Sequence, residues 1–302
     1  MFRYRDENAA QKIISSIRKE NVNLRFMHVC GTHQDTLVRF GLERMLREVG
    51  VEIRQGPGCP VCVTTTAEIA DAIALADAGV TISVFGDMLK VPTPIGSLGD
   101  AKARGADVRV VYSVEDAVRL AAEVKDMVFM AIGFETTSPT TAAVLVEDVP
   151  ENFSVLSCHR LLPPALDAII HMGDFRIDGL IEPGHVSVMI GEEPYRVFSE
   201  RDHVPQVITG FEPLDLLMAP YMLVRQVKGG RAEVENEYTR LVKKGGNPIA
   251  LRLLNEVFEP VDRAWRGFPV IPNSAYELRP KYDAHNARKV HEDILAKRPE
   301  VK

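Results

Sequence analysis

Cys59 and Cys62 stand two residues apart in GPGCPVC (56–62), a loop whose glycines and prolines fix its shape so that the two sulfurs can approach. A C-x-x-C pair can be half of a tetrahedral zinc site or a dithiol that cycles with a disulfide. Zinc needs two more ligands at suitable spacing, and the chain has no second C-x-x-C, which disfavours that use. Redox chemistry needs only the one pair, with a cysteine near a helix N-terminus to lower its pKa. Cys62 meets that condition if a helix begins at about Thr66, where Thr65 and Glu68 have the spacing of a capping box. A second thiol, Cys30, lies in CGTHQD directly after an apolar run. It is either an inert buried cysteine or a thiolate favoured by the positive end of the helix that follows. His33, three residues on, is then a candidate base or ligand.

Four further stretches are richer in Gly, Pro, His or Thr than a turn requires: GDMLKVP, GFETTSP, SCHRLLPPA and EPGHVSVMIG. They contribute Glu135, His159 and His185 as candidate site residues. Cys158 is assigned to packing, and His171, His203, His285 and His291 to the surface.

Each stretch follows a predicted strand. LRFMHV (24–29), VEIRQ (51–55), VTISVFG (80–86), DVRVVYS (107–113), MVFMAIG (127–133), FSVLS (153–157), RIDGLIEP (176–183) and PQVITG (205–210) have strand character, and amphipathic helical patterns separate most of them. That alternation indicates an α/β fold with parallel sheets. The expected arrangement is two parallel-sheet domains, residues 1–122 and 123–211, facing each other across a cleft. A mainly helical region, 212–302, would pack back on the first. The chemistry-bearing loops then lie at the carboxyl ends of strands, where open parallel sheets bind ligands.

Composition narrows the function further. With 302 residues, 46% hydrophobic and 26% charged, the chain can bury one or two cores, while a net charge of −6 gives no footprint for nucleic acid or an anionic membrane. No apolar run is long enough to span a bilayer, and MFRYRDENAAQK lacks a secretory hydrophobic segment, so a cytoplasmic location is expected. Four cysteines in that compartment point to catalysis, metal binding or inert packing ahead of structural disulfides. Phosphate-loop, dinucleotide-fingerprint, nucleophile-elbow and H-E-x-x-H motifs are all missing.

CGTH (30–33), GPGCPVC (56–62), FGDM with a nearby VP (85–92), GFETT (133–137), S-x-H-x-x-x-PPA (157–165) and PGHVS-x-x-x-G (183–191) together resemble the hydrogenase maturation factor HypD family. The resemblance continues through GFEPLD (210–215), RQV-x-x-GRAEVEN-x-Y (225–238), GNP (246–248) and WRG (265–267). It implies a scaffold on which iron receives two cyanides and one carbon monoxide, an Fe(CN)2CO unit destined for [NiFe]-hydrogenase. The partners it implies are a HypC-type chaperone and a HypE-type cyanide donor. Carried over by motif, Cys30 would ligate the iron and Cys59 with Cys62 would be the redox dithiol. His33, Glu135, His159 and His185 would line the cleft. The family also implies a [4Fe–4S] cluster held by four C-terminal cysteines, yet no cysteine follows Cys158 here. Gln34 stands where an acid or threonine is common, and Cys158 where asparagine is common. A stand-alone thiol–disulfide oxidoreductase using Cys59 and Cys62 is the alternative.

Overall fold

MVFMAIG carries no polar side chain and TISVF only the small Thr81 and Ser83, as a parallel strand covered on both faces allows. In the computed structural model, which describes residues 5–173 and 176–299, both are buried strands. The strands run β1 (Leu24–His28), β2 (Val51–Gln55), β3 (Thr81–Phe85), β4 (Val108–Val111), β5 (Met127–Gly133), β6 (Phe153–His159), β7 (Gly179–Pro183), β8 (Gln206–Thr209), β9 (Val234–Asn236), β10 (Phe258–Ala264) and β11 (Val270–Leu278). The helices used below are α1 (Glu7–Glu20), α2 (Gly31–Arg39), α3 (Leu42–Arg47), α4 (Pro60–Val63), α5 (Thr66–Asp77), α6 (Leu98–Ala103), α7 (Val114–Ala121), α8 (Ser138–Leu145), α9 (Leu162–Ile170), α10 (Gly184–Ile190), α11 (Arg196–Glu200), α12 (Pro213–Lys228) and α13 (Pro248–Val257). Among the described residues, no helix is long and apolar enough to cross a membrane.

The α/β architecture is the expected one, with two parallel sheets. The division of the chain is different. One compact unit joins Met1–Cys59 to Ala165–Pro248, and the other joins Pro60–Pro164 to Ile249–Lys302. The first sheet has the order β2-β1-β7-β8-β9 and the second β4-β3-β5-β6, so boundaries at 122 and 211 cut through both sheets. The physical reason is that periodicity identifies a strand without choosing its lateral neighbour. β1 pairs with β7, far along the chain, because their apolar residues fill one core. The region from 212 is likewise divided. α12 packs on α1 and β8 in the first unit, whereas the second unit receives an antiparallel ribbon, β10–β11, between α13 and the short C-terminal helices.

In the first unit, Phe26, Ile181 and Val207 face a core completed by Ile14 and Ile17 of α1 and by Leu216, Leu217 and Leu223 of α12. α1 begins at Asp6, whose side chain accepts the Ala9 amide. In the second unit, alternate residues of β5 supply two cores. Val128 and Met130 join Ile69, Ile73 and Leu98 on one face. Met127, Phe129 and Ala131 join Val114, Leu145 and Phe258 on the other. Burial on both faces explains why β5 shows no polar alternation.

The capping box anticipated at Thr65 and Glu68 is present and has a second use. Glu68, buried, accepts the Thr65 amide and hydroxyl and also Nη2 of the fully buried Arg160 at 2.6 Å. Arg160 donates further to the carbonyls of Cys158 and Ala264, so this one pair ties the start of α5 to the end of β6. Removing one partner of a buried pair leaves the other charge uncompensated. Arg160→Ala is therefore expected to lower the unfolding free energy by about 3–5 kcal/mol, read from urea denaturation.

Candidate functional site

In the first sheet the direction of strand addition reverses between β1 and β7. Loops at the carboxyl ends of such a pair diverge and leave a crevice. Cys30 follows β1 and His185 follows β7, so the sequence places its chemistry at this switch point. Cys30 is the extended N-cap of α2 and only 8% exposed. Burial pushes its thiol up from the ordinary value, outweighing the amides of His33 and Thr32 and the Thr32 hydroxyl, which favour the thiolate. The helix-terminus effect expected from sequence therefore exists, but desolvation is the larger influence.

His33, one turn into α2, is fully buried. Neither ring nitrogen has a hydrogen-bond partner among the described residues. Burial, then the nearby His28, lowers it to about 3, so it is a neutral imidazole at physiological pH. Its ring lies 5.1 Å from Phe211, on which the solvent-facing His185 stacks at 3.7 Å. Phe211 is held in turn by Tyr238, edge-on at 5.8 Å, and by the Thr36 hydroxyl on its carbonyl at 2.8 Å. Gly210 beside it lets these side chains close in, since a Cβ there would fall 2.2 Å from Asp215 Oδ2 and displace it. Asp215 is bonded to Arg240, whose guanidinium lies over Tyr238.

The GPGC loop meets the same edge. Gly56 donates to the His28 carbonyl at 2.8 Å, and a Cβ on Gly58 would lie 2.2 Å from the Val29 carbonyl carbon and 2.4 Å from the Cys30 amide nitrogen. Only a residue without a side chain permits this approach. Cys59, half-buried, comes next and precedes α4. Cys62, exposed, lies within α4 instead of ahead of α5 alone. Cys59 and Cys62 are disulfide-bonded, while Cys30 and Cys158 are free.

In the second unit, Glu135 follows β5 and His159 ends β6. Glu135 Oε1 accepts the Leu162 amide at 2.9 Å, and Oε2 has no partner among the described residues. Burial raises this carboxyl to about 7. His159 meets the Thr141 hydroxyl at 3.0 Å and packs edge-on against Phe258, and burial lowers it to about 3. Cys158 is packed in the core with its thiol pushed to about 12, as its assignment to packing anticipated.

Sequence reasoning missed several polar residues in these edges. His28 is fully buried and bonded through Nε2 to Gln34 Oε1 at 2.8 Å, with Gln34 reaching on to Glu43 at 2.8 Å. This gives the unusual Gln34 its structural role. Glu182 is fully buried with neither oxygen partnered among the described residues, and burial raises it to about 8. Its only signal in the sequence is an acid inside an apolar strand. His291, assigned to the surface, is buried near Asp126 because the C-terminal helices fold onto the second unit. Asp167, His171 and Asp202 also bring ligand atoms within 4.8 Å of one another, but Arg201 already bonds both carboxylates.

A family model described as "HypD: Hydrogenase formation hypA family" matches residues 7–302. The chain belongs to the HypD family. It is 44% identical to the hydrogenase maturation factor HypD2 of Bradyrhizobium diazoefficiens, over 94% of this chain and 79% of the relative. It is 42% identical to HypD of Cupriavidus necator over 94% and 79%. Against HypD of Escherichia coli it is 43% identical over 87% of this chain and 72% of the relative. The family's [4Fe–4S] group does not fit the residues present: of four cysteines, two form the disulfide, and a cluster held by four cysteines needs every one as a thiolate.

Two outcomes follow from these geometries. Gly58→Ala, which drives a methyl into the Val29 carbonyl, is expected to destabilise the first unit by about 1–3 kcal/mol and to speed alkylation of reduced Cys59. Thermal melting and thiol labelling read both. The second concerns pH. Unfolded histidine takes a proton below its ordinary 6.5, but His33 and His159 resist it to about 3, so stability falls as pH drops through that interval. Unfolded glutamate loses its proton above 4.5, but Glu135 and Glu182 keep theirs to about 7 and 8, so stability falls as pH rises there. The effects oppose between 4.5 and 6.5. Above that only the carboxyls act, each lowering stability by up to about 1.4 kcal/mol per pH unit. Urea midpoints should drop toward the alkaline side, and Glu135→Gln and Glu182→Gln should each flatten the decline.

Proposed function

We propose that this chain is a scaffold for assembling the Fe(CN)2CO unit of [NiFe]-hydrogenase, with iron carried as substrate on the Cys30 thiolate. The observation that supports this most is the seating of the GPGC loop on the amide of Cys30. Cys59, one half of the disulfide, is the residue next to that contact with the backbone of the desolvated Cys30, at the switch point of a parallel sheet. A buried neutral thiol binds strongly hydrated, hard cations poorly, but a soft iron centre bearing cyanide and carbon monoxide compensates for loss of the proton with a thiolate bond. A HypC-type partner would share the iron, and a HypE-type partner would deliver cyanide as thiocyanate. Release of cyanide from a thiocyanate as thiolate and CN⁻ takes two electrons, which the reduced Cys59 and Cys62 would supply as they close to the disulfide, an external dithiol reopening it afterwards.

His33 and His185, braced on Phe211, contribute neutral imidazoles that accept hydrogen bonds without adding charge beside the iron. In the second unit, Glu135 and His159 hold a proton and a neutral ring in the same fashion.

The exposed, disulfide-bonded Cys62 also favours a second reading, a stand-alone thiol–disulfide oxidoreductase. That reading requires turnover of small disulfides that is unchanged in Cys30→Ala.

The test is anaerobic co-purification with a HypC-type partner, with the cyanide donor and hydrogenase precursor supplied, followed by infrared spectroscopy. Cyanide and carbonyl stretching bands are expected in the complex and should be lost in Cys30→Ser. A bandless complex from the unsubstituted chain contradicts the proposal.

A further inference from the structure

Glu182 is the largest unexplained feature of the first unit: a carboxyl with no solvent exposure and no partner for either oxygen among the described residues. A buried unpaired polar group opposes folding and calls for a reason. Its position supplies one. β1 and β7 pair as Phe26 with Gly179, Met27 with Leu180 and His28 with Ile181, so the same register sets Glu182 beside Val29. Side chains alternate across a sheet. Phe26 and Ile181 face the core beneath α1 and α12, and therefore Met27, Val29, Leu180 and Glu182 face the opposite side. A Cβ on Gly56 would lie 2.8 Å from Val29 Cγ1 and 2.9 Å from Met27 Sδ, which places the GPGC loop on that opposite side. The loop leaves β2 and lies over the end of β1 at Gly58, against Val29, the residue beside which the register sets Glu182. Cys59 is its next residue. The carboxyl thus lies one strand from the contact that seats the loop, on the face of the sheet that the loop covers, and the first sulfur of the disulfide is on the next residue of that loop.

We propose that Glu182 is the proton donor to Cys59 when the Cys59–Cys62 disulfide is opened. The inference rests on the dithiol part of the proposed function. With an external dithiol as reductant, one thiolate of the reductant attacks the disulfide at Cys62 Sγ. The S–S bond breaks, and Cys59 leaves with the bonding pair and takes the Glu182 proton. The second thiol of the reductant closes its own disulfide and releases Cys62, and the two protons shed by the reductant go to Cys62 and back to the Glu182 carboxylate. The protein disulfide gains two electrons and two protons, and the reductant loses both.

Among the described residues no charged neighbour competes for this proton. On that face β1 presents Met27 and Val29, and β8 presents Gln206 and Ile208. The segments after β7 hold four titratable groups, of which Glu192 accepts from Asn236 at 3.0 Å and Glu193 pairs with Arg196. Tyr195 shares its hydroxyl with Ser187, and His185 is stacked on Phe211. Burial alone determines the state of Glu182, keeping it protonated to about 8. A neutral carboxyl on that face of the sheet is a proton store that does not repel the thiolate formed when the disulfide opens.

The test is stopped-flow reduction of the intact protein by dithiothreitol across a pH series, with rates corrected for the thiolate fraction of the reductant. Glu182→Gln preserves the shape of the protonated acid and cannot give up a proton. The unsubstituted chain is expected to lose rate on the alkaline side, near pH 8, and Glu182→Gln to be slower by about tenfold or more and to lack that decline. An unchanged rate and pH profile in Glu182→Gln would overturn this inference while leaving the dithiol reading intact. A disulfide that the dithiol cannot open would overturn both. Reduced-minus-oxidised infrared difference spectra of the unsubstituted protein give a second readout that does not depend on the variant folding. A protonated-carboxyl band that changes on reduction is expected, and a spectrum without one overturns the proposal.

Discussion

The contact between Gly58 and the end of β1 is the constraint on which the first unit's chemistry depends. A loop that carries a disulfide can lie against a strand terminus only if the contact residue has no side chain, because a Cβ would penetrate the Val29 carbonyl and the Cys30 amide. With glycine there, Cys59 is fixed relative to Cys30 by backbone packing and not by flexible side chains. The hydrogen bond from Gly56 to the His28 carbonyl anchors the other end of the same approach. Glycine at 58 thus accounts for both the shape of the loop and the meeting of two separate cysteine motifs.

Desolvation is the second organising influence. His33 and Glu182 in one unit, and His159 and Glu135 in the other, are all buried and all driven toward their neutral forms. Each sheet edge therefore carries one imidazole and one carboxylic acid that are uncharged near neutral pH. Such an edge offers hydrogen bonds and a transferable proton without a fixed field, which suits work on a thiolate or on a metal centre bearing anionic ligands. Cys30 obeys the same rule, since burial keeps its proton on until something replaces it.

Much of this was legible in the sequence wherever the determinant is local. The strand at 127–133 and the Thr65–Glu68 capping box come directly from composition and spacing, and so does the placement of Cys30, Glu135 and His185 after strands, whereas the strand expected at 153–157 runs on to include His159. What was not legible depends on partners distant in the chain. The pairing of β1 with β7 redraws the domains, and no periodicity encodes it. Glu182 and His28 look like ordinary polar residues until the strands around them bury both. The β10–β11 ribbon was hidden because its first strand is largely half-buried or exposed, with Pro260 among the exposed residues, and lacks the apolar density of the parallel strands. Gln34 departs from the family pattern, and its explanation appears only in its bridge from His28 to Glu43.

The measurement that bears most directly on Cys30 is anaerobic titration with ferrous iron, with a HypC-type partner present and the Cys59–Cys62 disulfide intact. Thiolate-to-iron charge-transfer absorption and proton release are recorded together. With that disulfide closed, Cys30 and the core-packed Cys158 are the free thiols of the chain. The predicted result is a charge-transfer band that grows with proton release and loses the contribution of this chain in Cys30→Ser. Equal absorption and equal proton release in Cys30→Ser would contradict the assignment of iron to that thiolate.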